Sequence, residues 1–144
     1  LFVVRFVITS PSTSAISVYR DSQLASNMLS ALSKTTTDCH GATVETLLQD
    51  CASAKSLECP GNRESRSTIS KSSTSCDYAE KVIRDIFSVS LDLWQRTYHL
   101  STEGNSRATL EIGQPCTGEL ESATRPIRLV GGGSTLILTL DVCR

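Results

Sequence analysis

The stretch IRLVGGGSTLILTLDVC, residues 127–143, decides the fold predicted for this chain. After the three glycines, Leu or Val recurs at every second position, as in a strand that buries one of its faces. Glycine tolerates the positive φ angles of a tight turn. The glycines at 131–133 therefore connect this strand to the shorter alternation that contains Ile127 and Leu129. The stretch predicts an antiparallel β-hairpin.

The same two-residue period predicts two more hairpins upstream. Residues 94–100 alternate, a turn follows at 102–105, and residues 108–112 alternate again. Residues 1–9 and 16–19 are rich in β-branched and aromatic types and flank a cluster of serine, threonine and proline. The chain is therefore predicted to form about six strands in three hairpins.

A helical period separates the first hairpin from the other two. One helix is predicted from Asp21 or Ser22 to the threonines at 35–37, and a second over 44–52 with Cys51 on its apolar side. A third helix is predicted to start at Asp77, with Glu80 three residues later as in a capping box. Its buried stripe is predicted to contain Tyr78, Val82, Ile83, Ile86 and Val89.

This order of elements predicts one α+β domain over residues 1–144. Strands joined by short turns pair antiparallel, and the helices must bury their apolar stripes against the sheet. We expect a largely antiparallel sheet of about six strands with about three helices packed on one face. The length of 144 residues suits a single domain with its own core.

An even set of cysteines predicts a disulfide framework. The six are Cys39, Cys51, Cys59, Cys76, Cys116 and Cys143. Such a set in a short chain indicates an oxidising compartment, and hence a secreted protein. We expect all six to be paired, Cys116 with Cys143 and the other four among themselves. No two cysteines have the close spacing of structural zinc sites, so no metal site is predicted.

Charge and hydropathy exclude several classes of protein. Fourteen basic and fifteen acidic residues give a net charge of −1, which does not suit a nucleic-acid binder because phosphate contacts need a clustered positive field. No apolar run approaches 18 residues, so no transmembrane segment is predicted. The triple glycine lacks the Lys-Ser/Thr of a phosphate-binding loop, and no cofactor is predicted.

Catalytic chemistry has few candidate residues in this sequence. There are two histidines and no G-x-S-x-G motif, and paired cysteines cannot act as nucleophiles. His99 falls on the strand face opposite Trp94 and Tyr98, and is predicted to face solvent. Trp94, the only tryptophan, is predicted to pack in the core, with a role as a binding residue as the alternative. We expect a protein that binds rather than catalyses.

The polar segment between Cys59 and Cys76 is the predicted binding loop. It carries Arg63, Arg66 and Lys71 among serines, and its ends are held by the predicted disulfides. Such anchoring limits the entropy lost on binding. An acidic protein or an anionic cell-surface component is the predicted partner, and a mere connecting loop is the alternative.

The cysteine pattern supports a resemblance to known proteins. A cysteine at a helix start, in Ser75-Cys76-Asp77-Tyr78-Ala79, and a last strand ending in cysteine, in 138–143, are its elements. In these the chain resembles small secreted cysteine-rich fungal effectors and killer-toxin-like α/β proteins. The resemblance implies a secreted protein that binds a host or target-cell component. A small secreted hydrolase with a serine or carboxylate site and an extracellular structural or receptor module are the alternatives.

Replacing Arg63, Arg66 and Lys71 together with alanine tests the predicted loop. We expect weaker partner binding and a smaller salt dependence, because exposed charges act through screened Coulomb interactions. The melting temperature should change little, since exposed loop side chains contribute little to stability. Affinity measured across a salt series checks this. Unchanged binding by the triple variant would make the loop a connector.

Overall fold

The structure of the chain is a computed structural model that describes residues 13–53, 57–60, 73–104, 109–131 and 133–143. The elements in chain order are α1 (Thr13–Lys34), α2 (Val44–Ala52), β1 (Glu58–Cys59), β2 (Ser73–Thr74), α3 (Ser75–Ser88), β3 (Tyr98–Glu103), β4 (Glu111–Gly113), β5 (Leu120–Arg128) and β6 (Thr135–Cys143). Within these ranges, no helix combines the length and hydropathy needed to cross a lipid bilayer.

The main sheet has the strand order β4-β3-β6-β5, and every neighbouring pair is antiparallel. The two C-terminal hairpins are confirmed: β3 pairs with β4, and β5 pairs with β6 from Leu120↔Cys143 to Arg128↔Thr135. The prediction of about six strands in the sheet is wrong, because the main sheet of the described chain has four. Strands β1 and β2 form a separate pair of two residues each.

The predicted N-terminal hairpin is also wrong in the part that the structure describes. Ile16–Tyr19, predicted as a strand, lies inside α1, which begins at Thr13 rather than at Asp21 or Ser22. Four alternating residues fit either period, and a helix that already continues beyond them gains one hydrogen bond for each residue added. The predicted strand over 1–9 lies outside the described residues. The predicted end of the helix before the threonines at 35–37 is confirmed.

One face of the sheet is buried against the helices. Along β6, the side chains of Leu136, Leu138, Leu140 and Val142 are buried, and those between them lie on the open face. Polar contacts join the covered face to the helices. Glu121 accepts a hydrogen bond from the backbone N–H of Ala25 in α1, and Arg125 pairs with Glu45 in α2 at 3.2 Å. The α+β class, with three helices in the described residues, is confirmed.

Three disulfides use all six cysteines. They join Cys39 to Cys59, Cys51 to Cys76, and Cys116 to Cys143. The predicted Cys116–Cys143 pair is confirmed, and so is the pairing of the other four among themselves. Cys51 is 5% exposed and lies on the apolar side of α2, as its helical spacing predicts. The second bridge therefore links α2 directly to the start of α3.

Helix α3 begins two residues before its predicted start. Its N-cap is Thr74, whose hydroxyl oxygen accepts a hydrogen bond from the backbone N–H of Asp77. The carboxylate of Asp77 in turn accepts a hydrogen bond from the Thr74 hydroxyl. Asp77 therefore stabilises the first turn from inside the helix, where its negative charge also suits the helix dipole. The predicted role of Asp77 as the cap residue is wrong.

Gly113 ends β4 and lies close to the backbone of Tyr98 in β3. Its φ is +91°, and a Cβ at this position would overlap the carbonyl oxygen of Tyr98. Gly131, in the turn between β5 and β6, has a similar φ of +104° but open space around it. Glycine is therefore required at 113 both because of the positive φ and because a side chain has no space there. At 131 glycine is required only because of the positive φ.

These two glycines allow a matched test. We expect Gly131→Ala to cost about 1–3 kcal/mol through backbone strain alone. Gly113→Ala should cost on the order of 4 kcal/mol or more, because steric overlap adds to the same strain. Urea denaturation of the two variants and the parent measures both costs. Equal costs would show that β4 does not approach Tyr98 as closely as described.

Candidate binding surface around Trp94

The chain between α3 and β3 forms a tightly hydrogen-bonded turn over residues 89–97. The N–H of Asp92 donates to the carbonyl of Phe87 at 3.1 Å, and the N–H of Arg96 donates to the carbonyl of Leu91 at 2.9 Å. Leu91 is fully buried and anchors the turn in the core. Gln95 has a φ of +54°, which turns the chain sharply before β3 begins at Tyr98. The turn is therefore fixed by backbone bonds and by one buried leucine.

Three large apolar side chains project from this turn into solvent. Val89 is 72% exposed, Leu93 is 73% exposed and Trp94 is 55% exposed. We call these three residues the Trp94 cluster. The predicted core positions of Val89 and Trp94 are wrong, because α3 ends at Ser88 and the strand starts only at Tyr98. All three fall within residues 89–94, and exposed apolar side chains concentrated in so short a segment mark a candidate interaction site.

The spacing of the buried positions along α3 and the turn after it explains this exposure. Ala79, Ile83, Phe87 and Leu91 recur every four residues, and each is fully buried. This spacing keeps one face of the helix and its last turn against the core. Leu93 lies off that face, two residues beyond Leu91. The spacing is visible in the sequence and is the signal that could have placed Leu93 and Trp94 on the surface.

A small cleft is formed in part by the same turn that carries the Trp94 cluster. Its lining residues come from the turn, from the start of β3 and from the end of β4: Asp92, Arg96, Thr97, Tyr98, Gly113 and Gln114. Leu93 and Trp94 fall between two of these residues in the chain. The cleft has a volume of about 180 Å³, below the roughly 300–1,000 Å³ of small-molecule sites. Its size suits one side chain of a partner.

Tyr98 supplies the aromatic wall of the cleft. Its ring meets that of Phe87 edge to face, with centroids 4.7 Å apart. Burial raises the pKa of the Tyr98 hydroxyl, the negative charge of Asp92 raises it further, and the positive charge of Arg84 lowers it. The hydroxyl therefore stays protonated at neutral pH and can donate a hydrogen bond. The residues that line the cleft thus include a tyrosine, Asp92 and Arg96.

His99 lies on the opposite face of the sheet from Tyr98, as predicted. Its side chain is 15% exposed, so it is more enclosed than a simple solvent-facing residue. Its Nε2 is 3.0 Å from a carboxylate oxygen of Glu111, and its Nδ1 is 3.9 Å from one of Asp141. Both ring nitrogens face carboxylates from neighbouring strands. This arrangement connects β4, β3 and β6 on the open face.

His40 occupies a turn between α1 and α2. His40 and Gly41 both have positive φ, at 52° and 72°, and the N–H of Ala42 donates to the carbonyl of Cys39 at 2.9 Å. The His40 Nε2 lies 3.1 Å from the carbonyl oxygen of Glu58, next to the half-cystine partner of Cys39. His40 therefore supports the first disulfide. Within the described ranges, no group of three or more His, Cys, Asp or Glu side chains could hold a metal ion.

The predicted binding residues Arg63, Arg66 and Lys71 lie outside the described residues. The structure does describe the two ends of their segment. Glu58 pairs with Thr74 and Cys59 pairs with Ser73, so the two ends of the segment lie side by side. The prediction for the three basic side chains stays a prediction.

No protein-family model, no curated protein and no solved structure matches this chain. The inference of function therefore depends on the geometry of the chain itself.

Alkaline pH provides a test of the environment of Tyr98. A pKa raised above the usual 10.0 in the folded state means that the unfolded chain loses this proton first as pH rises. The group's contribution to stability is complete below pH 10 and is lost as pH rises through the folded-state pKa. We expect Tyr98→Phe, which keeps the ring, to reduce the fall in melting temperature above pH 10. Identical alkaline profiles for variant and parent would contradict this.

Proposed function

We propose that this chain is a secreted, disulfide-stabilised protein that acts by binding a host or target-cell component, as effectors and toxins do. The observation that carries the proposal is the Trp94 cluster on a rigid turn. Tryptophan dominates the energy of protein interfaces when it enters a pocket on the partner. Because the turn is already ordered by backbone bonds, little conformational entropy is lost on binding.

The disulfides support the secreted part of the proposal. Three bridges in a chain of 144 residues are typical of proteins that work in an oxidising environment and are rare in the cytosol. They also help such a domain to persist outside the cell, because each bridge restricts the unfolded chain. Arg63, Arg66 and Lys71 remain a proposed second contact, to an acidic region of the same partner.

The partner proposed for the Trp94 cluster is a protein rather than a lipid surface. The charged side chains of α3 and the turn are nearly balanced, with three basic residues, Lys81, Arg84 and Arg96, against four acidic residues, Asp77, Glu80, Asp85 and Asp92. An anionic membrane would instead favour a clear excess of basic residues. The cleft also favours a protein partner, because exposed apolar side chains and a polar cleft on one turn can pack against the side chains of a folded protein.

Substitutions in the cluster test this proposal against a matched surface control. We expect Trp94→Ala and Leu93→Ser each to weaken partner binding by on the order of 30-fold, as for interface hot spots of about 2 kcal/mol. Val130→Ser is the control, because Val130 is 77% exposed on a different turn. Titration against the partner, recovered by crosslinking at the target-cell surface, measures the three affinities. Equal effects of all three substitutions would contradict the proposal.

The tryptophan itself gives a second measurement that needs no mutation. Trp94 is the only tryptophan, so all tryptophan fluorescence of the protein comes from this cluster. In the free protein we expect ready quenching by iodide, since the side chain is 55% exposed. Partner binding should shift the emission to shorter wavelength and protect it from iodide. An emission unchanged at saturating partner would place the interface elsewhere.

A further inference from the structure

Strand β4 has an edge that pairs with no described strand. In the β3–β4 ladder, Thr102 N–H donates to the carbonyl of Leu110, and Gln114 N–H donates to the carbonyl of Tyr98. Neighbouring residues of an antiparallel strand direct their backbone groups to opposite sides. The N–H and C=O groups of Glu111 and Gly113 therefore point away from β3.

The other edge of the sheet is protected against additional strands. On β5, Leu129 N–H donates to the carbonyl of Ser134, so the even-numbered residues direct their backbone groups outward. Pro126 is one of these and has no N–H to donate. The outward carbonyl of Arg128 already accepts a hydrogen bond from the Gln49 side chain at 3.0 Å. Such features are how natural sheets block edge pairing, whereas β4 contains no proline over its three residues and the nearest one, Pro115, lies two residues beyond Gly113.

The open edge of β4 leads directly into the cleft. Gly113 carries two of the outward backbone groups and also lines the cleft, together with Gln114. A strand laid along β4 would direct alternate side chains to the two faces of the sheet. Side chains on the helix side would reach the cleft, whose lining residues include Tyr98 and Asp92. Gly113 therefore belongs both to the open edge and to the cleft lining, and the turn that carries the Trp94 cluster contributes Asp92 and Arg96 to the same cleft.

We propose that β4 is a docking edge for an extended segment of the protein partner, which adds to the sheet as a further strand and inserts one hydrogen-bonding side chain into the cleft. The proposal rests on the proposed function and specifies its mode of recognition. Backbone hydrogen bonds to Glu111 and Gly113 give affinity for any extended segment, and the cleft selects among sequences. Leu93 and Trp94 cover the segment from the turn.

Peptides displayed on phage are the probe for this proposal. A library of random decapeptides is selected on the immobilised protein, and the enriched peptides are synthesised and titrated by isothermal calorimetry, which measures binding to the parent and to Trp94→Ala alike. Hydrogen exchange followed by NMR then reports the amide protons of Glu111 and Gly113. We expect both amides to exchange at least tenfold more slowly in the peptide complex than in the free protein.

A proline at the edge provides the matched variant. Glu111→Pro removes one outward N–H, and Glu111→Ala removes the same side chain but keeps that N–H. We expect Glu111→Pro to weaken peptide binding at least tenfold relative to Glu111→Ala. Should Glu111→Pro fail to fold, the amide protection in the parent protein decides alone.

The remaining outcomes separate this inference from the proposed function. Peptides that lose binding in Trp94→Ala but leave the Glu111 and Gly113 amides unprotected would overturn the docking edge and leave the Trp94 surface in place. Peptides that bind Trp94→Ala as well as they bind the parent would overturn both. A library that yields no enriched peptide overturns the docking edge. If the amide protons of Glu111 and Gly113 become protected when only the protein concentration is raised, the strand that occupies the edge belongs to a second copy of this chain. That result would overturn the proposal of a separate partner.

Discussion

Strand β6 is paired on both sides, with β3 and with β5, and the alternation of its side chains sets which face of the sheet the helices cover. Shifting its register by one residue would bury Thr135, Thr139 and Asp141 and expose the leucines between them. The same register aligns Leu140 with Leu100 and places Val142 beside Tyr98. The position of the cleft is therefore a consequence of the pairing at the centre of the sheet.

A covalent bond holds the wall of the cleft to that central strand. Cys116 follows Gln114 by two residues, and its bridge to Cys143 ties the chain beyond β4 to the end of β6. Cys143 also donates its backbone N–H to the carbonyl of Thr97, at the start of the opposite wall. Gln114 and Thr97 thus line the cleft from two chain segments that both connect to Cys143. A surface built in this way keeps its shape without a bound ligand, which favours recognition by preformed geometry.

The sequence predicts the elements whose apolar period is long and unbroken, as in β6 and α2. It fails where a few residues fit two periods, as Ile16–Tyr19 do, because only the continuation of α1 decides between them. The prediction that Trp94 packs in the core fails for another reason. The buried four-residue spacing of α3 continues to Leu91, whereas the prediction starts the two-residue period of a strand at Trp94. The cleft depends in addition on how closely Gly113 approaches Tyr98 across two strands. Such tertiary distances follow only once strand pairing is known.

The bridge between Cys51 and Cys76 has a consequence for how the protein responds to proteolysis. A protease that cuts one peptide bond anywhere in 61–72 divides the chain into two pieces, the first ending after Cys59 and the second beginning before Cys76. Because Cys51 belongs to the first piece and Cys76 to the second, the two remain one covalent molecule. The paired ends at β1 and β2 and the packing of α2 against α3 are then retained as well. A nicked chain of this kind separates only after reduction, so cleavage in this segment alone does not release the Trp94 cluster from the rest of the domain.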